Sequence, residues 1–188
     1  MHKFLLTGLG NPGLEYADTR HNIGFLVMDA FASKHKSLFK SDRHGLVAEV
    51  KFKGKSVFLL KPNTFMNLSG KAVRYWLGEE KINISELCVV TDDVALPFGS
   101  LRLKPSGSDG GHNGLKSIQE LLQTQQFPRL RFGIGNDYPK GKQADYVLGK
   151  WNSTELILLN ERINLAVECL EAFLANGLPF AMNNFNNK

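Results

Sequence analysis

The stretch Phe4–Gly13 (FLLTGLGNPG) decides how the chain begins to fold. Its first three residues form a short apolar run, which is typical of a buried strand. The glycines that follow permit positive φ or close backbone approach, while Pro12 fixes its own φ, lacks an N–H and holds Asn11 extended. We therefore expect a buried strand that ends in a turn presenting the Asn11 side chain.

The glycines of this stretch also match a dinucleotide-binding fingerprint, which would make the chain a nucleotide-dependent oxidoreductase. That fingerprint needs a helix to open within the glycines, but Pro12 and the polar residues 15–19 delay the next helical pattern until about Asn22. No acidic residue follows at a second strand end either. The oxidoreductase interpretation is a distant alternative, and we expect no cofactor.

Apolar patterning beyond this stretch predicts alternating strands and helices. Short apolar runs predict the strands, and apolar residues at helical spacing predict the helices. The predicted strands are Lys3 to Thr7, Leu46 to Phe52, Ser56 to Leu60, Leu87 to Thr91, Ser100 to Leu103 and Leu130 to Ile134. The predicted helices include Ile23 to Phe31, Ala72 to Leu77, Leu115 to Leu122 and Ile163 to Leu174.

Local signals define several element ends and the fold class. Lys53–Lys55 (KGK) predicts a hairpin turn, Asn152 with Glu155 predicts a capping box, and Gly177 with Pro179 predicts a helix stop. Strands separated by helices, with one hairpin, favour an α/β fold with a mixed, twisted sheet flanked by helices on both faces. We expect a single domain over residues 1–188, with residues 183–188 as a frayed tail.

Length and composition limit the classes of protein. The chain has 188 residues, of which 43% are hydrophobic, so it can bury one sizeable core. Its net charge of +5 makes nucleic acid a plausible partner, although charge alone does not identify one. No run is apolar enough to cross a bilayer and no leader pattern is present, so we expect a cytoplasmic protein without membrane contact. Cys88 and Cys169 stand in apolar surroundings, which predicts two buried thiols and excludes a metal site built from cysteines.

Polar side chains follow the predicted strands, where an α/β scaffold presents functional groups. A histidine beside a carboxylate, amides and a glycine-rich loop can activate water and hold a carbonyl group. The sequence therefore predicts a site for this chemistry at the strand ends. The candidates are Asn11, His21, Asn67, Asp92, His112 and Asn113.

Ordinary structural roles remain open for these candidates. A lone histidine at a helix start is more often a surface or capping residue than a base, and Asn22 and Asn113 suit helix N-caps. Either Asp92 or Asp93 could face His21, because adjacent strand residues point in opposite directions.

Seven motifs stand in order along nearly the whole chain. They are Gly10–Gly13 (GNPG), Tyr16, Thr19–Asn22 (TRHN), Thr64–Gly70 (TFMNLSG), Leu96–Pro97, Gly110–Gly114 (GGHNG) and Arg129–Gly135 (RLRFGIG). Together they resemble bacterial-type peptidyl-tRNA hydrolases. The resemblance implies a monomeric enzyme that cleaves the ester between a peptide and the 3′-terminal ribose of tRNA, without metal or cofactor, and so recycles tRNA.

The same resemblance implies roles for individual residues. His21 would be the general base, and Asp92 would hydrogen-bond it and fix its tautomer. Asn67 and Asn113 would place the water and stabilise the tetrahedral intermediate, and Asn11 would bind the peptide portion. The implied substrate-binding residues are Tyr16, Phe65, Met66, Asn67, His112 and Asn113. From the residues alone, Met66 could equally fill the core and Tyr16 could be a packing residue.

The resemblance also implies a tRNA contact and a non-enzymatic alternative. Lys104 and Arg131 are similar to the basic pair that holds the tRNA 5′-phosphate in the family. Some relatives bind RNA as splicing factors without hydrolysis, which predicts loss of the base, yet His21 and Asp92 are both present.

Three positions depart from the family pattern, which puts in doubt only the tuning of the site. They are Thr91, Asp93 and Ala95, where many members carry histidine, glutamate and aspartate.

Overall fold

The computed structural model describes residues 1–188 and builds them around one sheet. The strands are β1 (Lys3–Gly8), β2 (Lys40–Asp42), β3 (Gly45–Phe52), β4 (Lys55–Pro62), β5 (Leu87–Asp93), β6 (Leu101–Lys104) and β7 (Arg129–Gly133). The α-helices are α1 (Ile23–Lys34), α2 (Ser69–Glu80), α3 (Asn113–Leu122), α4 (Gln143–Val147), α5 (Ser153–Asn176) and α6 (Leu178–Phe185). The six predicted strands and four predicted helices all occur.

The strand order across the sheet is β2-β3-β4-β1-β5-β7-β6. Strands β4, β1, β5 and β7 are parallel to one another, while β2, β3 and β6 run antiparallel to their neighbours. The mixed sheet of an α/β fold is confirmed. Because the parallel strands share one direction, the ends of β1 and β5 meet at the same edge of the sheet.

Two apolar cores cover the two faces of the sheet. In β1, Phe4 and Leu6 pack on the face covered by α1 and α5, while Leu5 packs on the face covered by α2 and α3. Side chains alternate between faces along a strand, so a continuous apolar run is needed to supply both cores. Each fully buried leucine contributes roughly 1.5–3 kcal/mol.

Close packing at Gly8 and Gly24 brings α1 onto the end of β1. A Cβ atom on Gly8 would lie 2.1 Å from the carbonyl oxygen of Gly24, and one on Gly24 would lie 2.4 Å from the amide nitrogen of Leu9. Only glycine permits this contact. It places the 3-10 turn Arg20–Asn22, which precedes α1, beside the turn after β1.

Two local predictions are confirmed at the level of individual residues. Phe52 pairs with Lys55 across a two-residue turn in which Lys53 (φ 46°) and Gly54 (φ 76°) both have positive φ. Such turns suit the twist of a hairpin. Asn152 and Glu155 form the predicted capping box at the start of α5.

The sequence pattern does not predict β2, α4 or α6. The prediction that residues 183–188 form a frayed tail is wrong. Helix α6 extends to Phe185, and the Asn186 side chain accepts from the Leu103 amide at 2.6 Å and donates to its carbonyl at 3.0 Å. The Asn187 amide donates to Leu101 at 3.0 Å. The tail is ordered because it satisfies backbone groups on the free edge of β6.

Cys88 and Cys169 are free and buried, as predicted. None of the helices is both long and apolar enough to cross a membrane.

Candidate active site

A cavity of about 540 Å³ lies at the edge of the sheet where β1 and β5 end. The loop after β4, the loop before α3 and helix α4 complete its wall. The residues of the cavity that the sequence singled out are Asn11, His21, Phe65, Met66, Asn67, Asp92, His112, Asn113 and Arg131. Among these residues the topology brings together Asn11 and Arg131, which are 120 positions apart in the sequence.

Two histidines share one buried carboxylate in this cavity. Nδ1 of His21 lies 2.8 Å from Oδ2 of Asp92, and Nε2 of His112 lies 2.8 Å from Oδ1 of the same residue. The Asp92 side chain is only 2% exposed, and those of His21 and His112 are 14% and 11% exposed. Asp92, and not Asp93, is the carboxylate that faces His21.

A helix cap fixes the tautomer of His112. Its Nδ1 accepts from the amides of Gly114 and Leu115 at 3.1 and 3.4 Å, at the start of α3. A nitrogen that accepts carries no proton in the neutral ring, so Nε2 carries it and donates to Asp92. The other Asp92 oxygen then accepts from Nδ1 of His21, which leaves Nε2 of His21 as an unprotonated nitrogen.

Opposing effects act on the pKa values of this cluster. Burial lowers the pKa of His21, but the charge of Asp92 and the hydrogen bond to it outweigh burial, so this pKa lies above 6.5. Burial would raise the pKa of Asp92, but the charges of His112 and His21 and their hydrogen bonds hold it well below 3.8. Asp92 therefore remains an anion at neutral pH.

The same three side chains also have the composition of a metal site. Their ligand atoms lie within 4.8 Å of one another. Metal ligation by Nε2 of His112 would require that nitrogen to lose its proton, whereas the cap at Nδ1 keeps the proton there. The donor set therefore suits a hydrogen-bonded cluster better than a cation, and the absence of a metal remains a prediction.

Asn11 is oriented by two neighbours. Its backbone amide donates to Oδ1 of Asn22 at 2.9 Å, and its carbonyl accepts from Nδ2 of Asn22 at 2.9 Å. Its own Oδ1 accepts from the amide of Met66 at 2.8 Å. Because Oδ1 is engaged, the Asn11 side chain offers the cavity its Nδ2, which is a hydrogen-bond donor.

The structural alternative for Asn22 and Asn113, a side-chain helix cap, is not what the structure shows. Asn22 stands at the N-cap position of α1 without capping it, since its side chain bonds Asn11 instead. Asn113 is the first residue of α3, and His112 caps that helix. Asn67 and Asn113 are both exposed at the cavity wall, where their amides can reach a ligand.

Two predicted substrate-binding residues form an aromatic contact beside the cavity. Phe65 lines the cavity and is 57% exposed. Tyr16 lies behind Phe65, with ring centroids 6.4 Å apart in an edge-to-face arrangement, and is not part of the wall. Met66 is 4% exposed and belongs both to the wall and to the core under α2 and α3.

The two predicted phosphate-binding residues differ in position. Arg131 lines the cavity, where its guanidinium contacts Oδ2 of Asp93 at 3.4 Å and donates to the carbonyl of Ser108 at 3.0 Å. Lys104 is exposed and lies outside the cavity. It pairs with Arg129 in the register of β6 and β7, which places it diagonally across from Arg131 on the same face of the sheet.

Helix α4 forms one wall of the cavity and is not among the helices that the sequence pattern predicts. The residues of this segment that line the cavity are Gln143, Ala144, Val147 and Leu148. The spacing of Ala144, Val147 and Leu148 is helical and could have indicated this element. Its five residues are too few for that pattern to stand out.

The site combines a histidine–carboxylate pair with amides, which is an arrangement that hydrolases use to activate water. The family model described as "Peptidyl-tRNA hydrolase" matches residues 5–188. The chain belongs to the peptidyl-tRNA hydrolase family.

Individual relatives and solved structures agree with this assignment. A peptidyl-tRNA hydrolase of Parabacteroides distasonis is 54% identical, with 99% of this chain and 100% of the relative covered. One of Bacteroides fragilis is 50% identical over the same shares. The crystal structure of peptidyl-tRNA hydrolase from Acinetobacter baumannii matches with a TM-score of 0.92 at 37% identity, covering 97% of this chain and 94% of that one.

Proposed function

We propose that this chain hydrolyses the ester between a peptide and the 3′-terminal ribose of tRNA, with His21 as the general base. The observation that carries the proposal is the Asp92 cluster. Asp92 holds Nδ1 of His21 at 2.8 Å and leaves Nε2 unprotonated in a cavity lined with amides. An ester needs such a base because water is a weak nucleophile at neutral pH.

In the proposed reaction, Nε2 of His21 removes a proton from a water molecule as the water oxygen attacks the ester carbonyl carbon. The carbonyl becomes a tetrahedral oxyanion, and the anionic Asp92 stabilises the imidazolium that forms. When the intermediate collapses, its bond to the ribose oxygen breaks and the imidazolium returns the proton to that oxygen. The products are a tRNA with a free ribose hydroxyl and a peptide carboxylic acid, which ionises to the carboxylate by releasing its proton to solvent.

The amides of the wall supply binding and charge stabilisation. Nδ2 of Asn11 can donate to a carbonyl of the peptide portion, since its Oδ1 already accepts from Met66. Asn67 and Asn113 are free to orient the water and to donate to the oxyanion, which is often the largest electrostatic contribution to catalysis. Phe65 and Met66 offer apolar surface to a peptide side chain.

We assign the tRNA contact to Arg131 and Lys104. They stand on one face of the β6–β7 pair, and Arg131 connects that face to the cavity. Arginine can bind a phosphate through two parallel hydrogen bonds, whereas lysine acts as a compact charge. A 5′-phosphate held there would lie outside the cavity, with the ester inside it.

Release of tRNA from an N-acetylated aminoacyl-tRNA tests the proposal. We expect His21→Ala to lose at least about 100-fold in kcat, because a general base is removed. The matched control is His35→Ala, since His35 also lies 2.8 Å from a carboxylate oxygen, that of Glu171, away from the cavity. Equal kcat values for the parent and His21→Ala would contradict the proposal.

The RNA-binding alternative is not favoured, because the base, the carboxylate and the amides are all in place. The expectations that the protein acts as a monomer, in the cytoplasm and without a cofactor remain predictions. Sedimentation of the protein with and without tRNA tests the first of them.

A further inference from the structure

We infer that Arg20 is a positioning residue, which fixes the position of His21 relative to helix α4 and to the start of α5. Arg20 precedes His21 in the 3-10 turn Arg20–Asn22, and it does not line the cavity. The inference rests on the proposed function, since it assigns Arg20 a part in the same reaction.

The charge of Arg20 is nearly buried and is matched by one carboxylate. Its Nη2 lies 3.0 Å from Oε2 of Glu155, and the two side chains are 9% and 10% exposed. A buried charge of this kind requires its partner, because desolvation penalises an unpaired ion. The position of Arg20 is therefore tied to that of Glu155.

Glu155 is at the same time part of the capping box of α5. The oxygen that accepts from Arg20 also accepts from the amide of Asn152 at 2.8 Å, while Oδ1 of Asn152 accepts from the amide of Glu155 at 2.8 Å. One carboxylate oxygen thus connects the turn that carries His21 to the first turn of a 24-residue helix.

Arg20 also contacts helix α4, which forms a wall of the cavity. The guanidinium carbon lies 4.2 Å from the centroid of the Tyr146 ring, and Nη1 donates to the Tyr146 carbonyl at 3.3 Å. The Tyr146 hydroxyl in turn donates to the carbonyl of Ile134 at 2.6 Å. The backbone adds a further bond, since the Arg20 amide donates to the carbonyl of Gly149 at 3.0 Å.

These contacts require a planar guanidinium. Arginine can stack on an aromatic ring while its edge donates to a carboxylate and a carbonyl, and a lysine ammonium cannot do both. Loss of the contacts would let α4 and the turn of His21 shift relative to each other. A displacement of about 1 Å at a reacting group can cost on the order of 100-fold in rate.

Three variants separate positioning from plain stability. Arg20→Lys keeps the charge and loses the stacking, and Glu155→Gln keeps an acceptor for Asn152 and loses the charge. Asn152→Ala is the matched control, because it weakens the cap of α5 and leaves the Arg20–Glu155 pair intact. kcat and KM for N-acetylated aminoacyl-tRNA are measured well below each melting temperature.

We expect Arg20→Lys and Glu155→Gln each to lower kcat at least about tenfold. The double variant should have a kcat no lower than that of the less active single variant, because both substitutions break the same interaction. Asn152→Ala should lower the melting temperature and keep kcat within about twofold. Folded Arg20→Lys and Glu155→Gln proteins with parental kcat and reduced melting temperatures would overturn the inference and leave the proposed function standing. A parent protein that releases no tRNA would overturn both.

If Arg20→Lys does not fold, the nearly isosteric Glu155→Gln decides the question alone. A tenfold loss of kcat supports positioning, and parental kcat overturns it.

Discussion

Two of the histidine–carboxylate pairs in the molecule have the same separation and different surroundings. His21 lies 2.8 Å from Asp92, and His35 lies 2.8 Å from Glu171. Asp92 is 2% exposed, is shared with a second histidine and borders the cavity, whereas Glu171 is 18% exposed and also pairs with Lys34 on the surface between α1 and α5. A hydrogen-bond distance alone therefore does not identify a base. The proposal that His21 is the base rests on the burial of its carboxylate partner and on an open ring nitrogen in a polar cavity.

Removal of the carboxylate charge is expected to give the largest difference in kcat between the two pairs. Asp92→Asn is expected to lower kcat at least about 100-fold, because the imidazolium loses its counter-charge and the His21 tautomer is no longer fixed. Glu171→Gln is expected to keep kcat within about twofold. Steady-state release of tRNA measures both. Similar losses in the two variants would mean that the cavity pair has no special role.

The proposed phosphate contact sharpens the comparison, because its loss should weaken substrate binding and leave the base intact. Replacing Lys104 and Arg131 together by alanine is expected to raise KM for peptidyl-tRNA roughly 30-fold and to flatten its salt dependence. A minimal peptidyl ester without the tRNA body should be nearly unaffected. The control is the double variant Lys40→Ala with Arg43→Ala. It also removes two positive charges, but near strand β2, at the opposite side of the sheet from β6. Equal losses with both substrates would disprove the phosphate assignment.

Asp92 has a second histidine partner, His112, whereas Glu171 has only one. Removal of His112 is expected to have a smaller effect than loss of the Asp92 charge. His112→Ala removes one hydrogen bond to Asp92 and the cap of α3. We expect kcat to fall about tenfold and the protein to lose about 1–2 kcal/mol of stability. Asn152→Ala, which removes a cap from α5, serves as the comparison for stability alone. If both variants kept the parental kcat, His112 would be a cap and nothing more.

Glu171, which pairs with His35 and Lys34, is expected to give the smallest effect on stability. Glu171→Gln should change the free energy of unfolding by less than about 1 kcal/mol, because Lys34 is half exposed and water screens the pair. Chemical denaturation measures this change. A loss of several kcal/mol would show that the surface pair is more than an ordinary ion pair.

The periodicity of apolar residues predicts the elements that bury an apolar face. It does not predict short or polar elements. Strand β2 has three exposed residues and no apolar pattern. Gly177 ends α5 as the sequence predicts, but Pro179 lies in the first turn of α6, where a missing N–H costs nothing. The tail is ordered by hydrogen bonds to β6 that composition cannot reveal.

For the site, motif order and strand ends predicted which side chains gather, but not what holds them. The choice between Asp92 and Asp93 needed the family resemblance, because alternation alone leaves it open. The capping bond that fixes the His112 tautomer depends on where α3 begins, within one residue. The Arg20–Glu155 pair joins positions 135 apart, and no local pattern encodes such a contact.

The pH dependence of kcat/KM tests the central claim most directly. Under the proposed mechanism the unprotonated form of His21 is the active form. Activity should therefore rise with pH through a midpoint above 6.5, because Asp92 holds the pKa of His21 above that value. In Asp92→Asn, burial acts without the opposing charge, so the residual activity should rise through a midpoint below 6.5. The same midpoint in both proteins, or activity that does not change with pH, would contradict a mechanism in which the Asp92-bound imidazole removes the proton from water.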